Sequence, residues 1–335
     1  MQWPKTTVHT PQGLKPAIAP LVISASRATD IPAFHAKWFM NRLRAGYCLW
    51  ENAFNAHQQQ YVSFEKCKVF VFWSKSPQAL MPWLSEIEDK GYQYYFQYTL
   101  NDYAQEGLEP RIPKLAQRVA SFQKLSDRIG KHRVIWRFDP IIMGNTLTVE
   151  SVLERVQRLA EQLAPYTEKL VFSFLDLYKK TENNLKKVDP FLRPPNGLEM
   201  QQLAEGIVRI NNSLPAPLIL STCAEQLDLH SLGIEHNKCV DPELLARLCP
   251  TSTEVRNVYA KAAPAKQGSL ISTMPALTAE IAKDTGQRAP CGCAPSKDIG
   301  RYNTCMHLCA YCYANQSKTA VINGMNDVSA TSERL

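Results

Sequence analysis

Six short apolar runs, each but the last followed by a stretch of helical periodicity, constrain this chain of 335 residues more than any other feature. The runs occupy 21–26, 69–73, 94–99, 133–138, 170–174 and 218–222, and are dominated by Val, Ile, Leu, Phe, Tyr and Trp. Near-continuous apolar runs of this kind suit strands covered on both faces, as in parallel sheets. Helical spacing follows at 33–43, 77–90, 113–129, 149–164 and, after a longer loop, 198–211. Strands joined in parallel need crossovers, and repeated strand–helix units supply them with one handedness. No glycine-rich phosphate loop follows the first run, which argues against a doubly wound nucleotide-binding sheet. The expected fold is α/β, a partial (β/α) barrel of about six parallel strands.

The expected organisation is an N-terminal tail over 1–20, marked by Pro4, Pro11, Pro16 and Pro20, the partial barrel over 21–250, a cysteine-rich cluster-binding extension over 251–315 packed on the barrel mouth, and a C-terminal tail over 316–335. No apolar run approaches the roughly 20 residues that cross a bilayer, so no membrane partner is expected. The opening residues, Met1 to Thr7, are polar and carry no secretory signal, which makes a reducing cytoplasm the expected compartment and leaves thiols as ligands or core. The charge balance, 38 basic against 31 acidic residues, is spread along the chain and gives nucleic acid only weak support as a partner.

In a (β/α) barrel the functional mouth lies at the C-terminal ends of the strands. The polar residues that close the six runs are therefore the candidate pocket. Arg27, Lys75, Arg137, Asp139, Asp176 and Lys179 are the expected catalytic residues, and Ser26, Gln97 and Glu225 are expected to bind the cofactor. Their mixture of cations and carboxylates suits an anionic group on a small-molecule substrate or cofactor.

The ten cysteines divide into three sets. Cys48, Cys67 and Cys249 stand in apolar surroundings and read as buried thiols. Cys305, Cys309 and Cys312 have the three-then-two spacing that holds one [4Fe–4S] cluster and leaves its fourth iron open to a small molecule such as S-adenosylmethionine. Cys223, Cys239, Cys291 and Cys293 remain, the number needed for a second iron–sulfur cluster or a zinc site, with Gly292 expected to provide a sharp turn. His307, inside the three-cysteine loop, reads as a neighbour of the cluster, and His236 as an alternative ligand in the second set.

The segments Ser24-Ala25-Ser26-Arg27-Ala28-Thr29-Asp30-Ile31-Pro32, Phe72-Trp73-Ser74-Lys75, Val134-Ile135-Trp136-Arg137-Phe138-Asp139-Pro140, Ser173-Phe174-Leu175-Asp176-Leu177-Tyr178 and Thr222-Cys223-Ala224-Glu225, with the cysteine block that ends at Asn315, resemble the bacterial domain of unknown function 1848 family. The block itself is similar to the cluster loops of radical S-adenosylmethionine enzymes, in which an aromatic residue at the position of Tyr311 lies beside the adenine. The resemblance implies an iron–sulfur enzyme of that type, fed by a reducing donor such as flavodoxin or ferredoxin. The Gly-Gly-Glu triplet common in those enzymes is absent. A non-catalytic iron–sulfur or zinc protein, and a nucleic-acid-modifying radical enzyme, stay open as alternatives.

Overall fold

A computed structural model describes residues 3–53, 55–259, 284 and 291–335. The chain begins with β1 (Lys5–Thr10), β2 (Gly13–Ile18) and β3 (Val22–Ala25), then α1 (Ile31–Phe34) and α2 (Ala36–Ala45). It continues through β4 (Tyr47–Asn52), β5 (Asn55–Ser63), β6 (Val69–Ser74), α3 (Leu84–Asp89) and β7 (Gln93–Thr99). Three units follow: α4 (Leu115–Ile129) with β8 (Val134–Ile141), α5 (Val149–Leu163) with β9 (Lys169–Phe174), and the pair α6 (Lys179–Val188) and α7 (Gly197–Ser213) with β10 (Ile219–Thr222). The last elements are β11 (Glu235–His236), α8 (Pro242–Leu248), α9 (Thr253–Tyr259), β12 (Lys297–Asp298) and α10 (Lys318–Asn326).

Eight strands form one sheet in the order β11-β10-β9-β8-β7-β6-β3-β12, and every neighbouring pair is parallel. The six runs expected as strands are its six longer members, and they lie side by side in chain order. The sheet is open: β11 and β12 are its edges, with no pairing between them among the described residues.

Strand alternation sorts the side chains into two cores. Phe70 and Phe72, Tyr94 and Phe96, Trp136 and Phe138, and Phe172 and Phe174 pack against the helices in one cluster. Val69 and Val71, Tyr95, Ile135 and Val171 face the other way, where α8, α9 and the Cys291 to Ala294 stretch cover them. Helix starts follow local chemistry. Asp30 caps α1 by accepting from Ala33 N at 2.9 Å, and Asn196 and Glu199 form a reciprocal capping box on α7 at 2.9 and 2.7 Å.

Both expected tails take part in the fold. Over 1–20, β1 and β2 pair as an antiparallel hairpin and join β5 and β4 in a four-stranded sheet. Over 316–335, α10 leads to a terminus whose Glu333 accepts from Tyr47 Oη at 2.5 Å and Tyr61 Oη at 3.2 Å, while Trp38 Nε1 donates to Ser332 O at 3.0 Å. The extension expected over 251–315 includes 260–283 and 285–290, which lie outside the described residues. No helix among the described residues is long and apolar enough to cross a membrane.

Candidate functional site

The three-cysteine loop lies over the C-terminal ends of β3, β6 and β7, tied down by several hydrogen bonds. Ala310 N donates to Leu108 O at 2.9 Å, Tyr313 Oη to Arg27 O at 2.7 Å, and Lys180 Nζ to Tyr313 O at 2.6 Å. His307 Nε2 meets Asp30 Oδ2 at 2.9 Å, and the same oxygen accepts Lys75 N at 2.8 Å. Leu308 turns the loop with a left-handed φ of 56°, a conformation costing about 1 kcal/mol outside glycine, immediately before Cys309. Cys309 is buried, and Cys305 and Cys312 are half-buried.

The three thiols lie within one another's electrostatic reach. Burial, then Asp30, Cys312 and Cys309, push the Cys305 thiol well above its ordinary value. Burial also raises Cys309, with Lys75 opposing and Glu109 and Cys312 adding to the rise.

A buried polar network backs this loop. Lys75 Nζ donates to Glu109 Oε1 at 2.8 Å and lies 2.9 Å from Tyr311 Oη. Tyr311 Oη donates to Glu109 in turn, Asn101 Nδ2 reaches Tyr311 Oη at 3.3 Å, and Arg118 Nη1 stands 3.8 Å from Glu109 Oε2. Burial opposes the Lys75 ammonium, but Glu109 and nearby Cys309 outweigh it, so its pKa is raised. Burial likewise opposes the Glu109 carboxylate, yet Lys75 and Arg118 hold its pKa below the ordinary value.

The other four cysteines come together on the α8 side of the sheet. Cys223 Sγ and Cys239 Sγ are 3.4 Å apart, Cys239 N donates to Cys293 Sγ at 3.1 Å, and Cys291 stands beside Cys293. Arg137 and Gln97 hold the Cys239 loop: Arg137 Nη1 is 3.1 Å from Cys239 Sγ and 3.1 Å from Gln97 Oε1, and Gln97 Nε2 donates to Cys239 O at 2.9 Å. Hydrogen bonds from the Cys223 and Cys293 thiols, with Arg137 and Arg27, hold Cys239 well below the usual thiol value.

The expected pocket residues therefore divide between two networks. Arg27, Arg137 and Asp139 flank the four cysteines, with Asp139 pairing Arg137 and accepting from Ser173. Lys75 belongs with Tyr311, which holds Glu109 through its hydroxyl. Gln97 is a strut between Arg137 and the Cys239 carbonyl. Ser26 Oγ accepts from Ala28 N at 2.8 Å, and Glu225 accepts from Phe174 N at 2.9 Å. Asp176 and Lys179 are exposed, and it is Lys180 that reaches the cysteine block. His236 is exposed on β11, whereas Asn237 Nδ2 reaches Cys239 Sγ at 3.3 Å. Gly292 has no left-handed backbone, so the Cys291–Cys293 turn does not depend on glycine's freedom. Glu109, Asn101 and Arg118 were not among the expected site residues: Asn101 closely follows β7, Glu109 lies in the loop that leads to α4, and Arg118 sits on α4, where its basic side chain is buried.

Among the described residues, no group of three or more Cys, His, Asp or Glu side chains is placed to hold a single metal ion. A cubane makes a different demand, since each ligand sulfur binds its own iron and the sulfurs stand about 6–7 Å apart. Cys305, Cys309 and Cys312 supply three thiols from one loop, two of them half-buried. An open polar cavity of about 700 Å³ between β4 and α10, lined by Glu51, Arg301 and Asp327 among others, contains none of these cysteines.

The chain belongs to the family described as Domain of unknown function (DUF1848), which matches residues 22–314. No curated protein and no solved structure matches it.

Proposed function

We propose that this member of the family is an iron–sulfur enzyme of radical S-adenosylmethionine type, with Cys305, Cys309 and Cys312 as ligands of an open-site [4Fe–4S] cluster. The observation that carries the reading is the three-cysteine loop lying across the C-terminal ends of parallel strands, against the buried Lys75–Glu109–Tyr311 network. In this reading the open sheet serves as a partial (β/α) barrel and the loop completes its mouth.

Bound and reduced, such a cluster supplies the electron that cleaves S-adenosylmethionine to methionine and a 5′-deoxyadenosyl radical. The chain's own residues position and shield. Asp30 joins α1, the Lys75 backbone and His307, which fixes the cysteine loop to two strand ends. Glu109 stands between Lys75 and Arg118, so the two cations behind Cys309 share one buried carboxylate. The electron donor is a reducing protein such as flavodoxin or ferredoxin, and the substrate a small molecule whose hydrogen the radical removes.

The test is anaerobic reconstitution followed by measurement of 5′-deoxyadenosine under a strong reductant. The wild-type chain is expected to form it and Cys309→Ala to form none. A chain fully loaded with iron and sulfide that yields no 5′-deoxyadenosine would reduce the protein to a non-catalytic metal binder.

A further inference from the structure

We infer that Cys223, Cys239, Cys291 and Cys293 are the ligands of a second iron–sulfur cluster, buried on the α8 side of the sheet. The inference is independent of whether the first site cleaves S-adenosylmethionine.

Three segments deliver the four thiols: the end of β10, the loop after β11, and the stretch before β12. Cys239, Cys291 and Cys293 are buried, and valines of β3 and β6 with Tyr95, Ile135 and Val171 surround them. A neutral thiol is a weak acceptor. Yet Cys239 N, Asn237 Nδ2 and Arg137 Nη1 all aim N–H groups at these sulfurs, at 3.1, 3.3 and 3.1 Å. Donors converging in this way suit thiolates, and N–H···S bonds are among the devices that tune thiolate-bound iron.

Arg27 gives a second, independent observation. It is half-buried, and its guanidinium reaches Ser24 Oγ at 3.3 Å, Ser296 Oγ at 3.5 Å and the face of Trp73 at 4.8 Å. Among the described residues its Nη2 has no hydrogen-bond partner. Asp298 is its leading electrostatic partner, and the thiols of Cys293 and Cys239 come next, so an anionic thiolate centre there is favoured by this cation.

Iron–sulfur fits better than zinc. A tetrahedral ion with bonds of about 2.3 Å needs four sulfurs already closed around a point, and the described residues contain no such group. Here the thiols instead run as a chain from Cys223 through Cys239 and Cys293 to Cys291. Receiving a cubane requires Cys223 and Cys239 to separate from 3.4 Å toward the spacing of about 6–7 Å.

The experiment uses the full chain with Cys305, Cys309 and Cys312 all replaced by Ala, reconstituted anaerobically with iron and sulfide. About four irons and four sulfides per chain are expected to remain, with the electron paramagnetic resonance of a reduced cubane. Adding Cys291→Ser and Cys293→Ser should abolish them while circular dichroism stays native. Arg137→Gln keeps every ligand and should lower the remaining cluster's reduction potential, which a merely structural arginine would leave unchanged. Zinc in place of iron, a Cys223–Cys239 disulfide, absence of metal, or an unshifted potential in Arg137→Gln would overturn the inference. Iron retained in the triple variant, with no 5′-deoxyadenosine from wild type, would uphold this site and reject the proposed function.

Discussion

Glu109→Gln isolates the electrostatic role of the network behind the cysteine loop. The substitution keeps the side chain's volume and removes its charge. Glu109 is 1% exposed, and its two cationic neighbours, Lys75 and Arg118, are 14% and 2% exposed. Both would be left without this anion. Breaking a buried pair from one side costs about 3–5 kcal/mol, whereas Tyr311→Phe, which removes one hydrogen bond to a charged acceptor, should cost about 1.5–3 kcal/mol. Replacing Lys75 with Met as well removes one stranded cation, so the double variant should be less destabilised than the sum of the singles by about 1–3 kcal/mol. Equilibrium urea unfolding of the metal-free chain, with unchanged m-value, reads these differences. The sign of the pH dependence follows from the depressed Glu109 pKa. Its stabilisation is complete above the unfolded value of about 4.3 and is lost as pH falls through the lower folded value. Wild type should therefore lose more stability in acid than Glu109→Gln does. A Glu109→Gln cost under about 1 kcal/mol would refute the claim that the shared Glu109 carboxylate holds this wall.

Burial holds the Lys297 pKa down to about 8, against the pull of Asp298 and Cys48, and its ammonium sits 3.2 Å from the Trp50 ring centroid. Between that value and the unfolded one of about 10.4 the unfolded chain carries the extra proton, so stability should rise with pH, by about 3 kcal/mol in total. Lys297→Met should flatten that rise and gain about 1–3 kcal/mol at pH 7; a wild-type stability that does not change between pH 8 and 10 would contradict this. A Cβ on Gly300 would lie 1.8 Å from Ser26 Oγ and 2.6 Å from Ser26 Cβ, so Gly300→Ala should cost about 1–3 kcal/mol in thermal or urea unfolding. Gly292→Ala meets only the flexible Lys238 stem, at 3.3 Å, and should cost less than about 1 kcal/mol.

The six longer strands of the parallel sheet were legible because each is covered on both faces, which forces a continuous apolar run. The four-stranded sheet was not. β5, Asn55–Ser63, reads NAHQQQYVS, and β2 carries Pro16; one face of their sheet holds only the small core of Val8, Ala17 and Tyr47, while Ile18, Cys48 and Val62 face the main core. A sheet with so little apolar cover leaves no apolar run to find. The cysteine block was legible because loop spacing is local. Glu109 was not, since its partners Lys75, Arg118 and Tyr311 arrive from three separate segments. Lys179 was expected at the site, whereas Lys180 reaches Tyr313 O, because at the start of a helix one step turns a side chain by about 100°. Period-two alternation could have set Gln97, Arg137 and Ser173 on one face of the sheet, the face that carries the four-cysteine group.

The central claim is that Cys305, Cys309 and Cys312 hold a cluster whose open iron binds S-adenosylmethionine. Electron paramagnetic resonance of the reduced, fully reconstituted wild-type chain, recorded with and without S-adenosylmethionine labelled with ¹⁵N at its amino group, tests it most directly. The expected result is a shifted cubane spectrum with a resolved nitrogen coupling, lost in Cys309→Ala. A fully loaded cluster whose spectrum is unchanged by S-adenosylmethionine and shows no nitrogen coupling would contradict it.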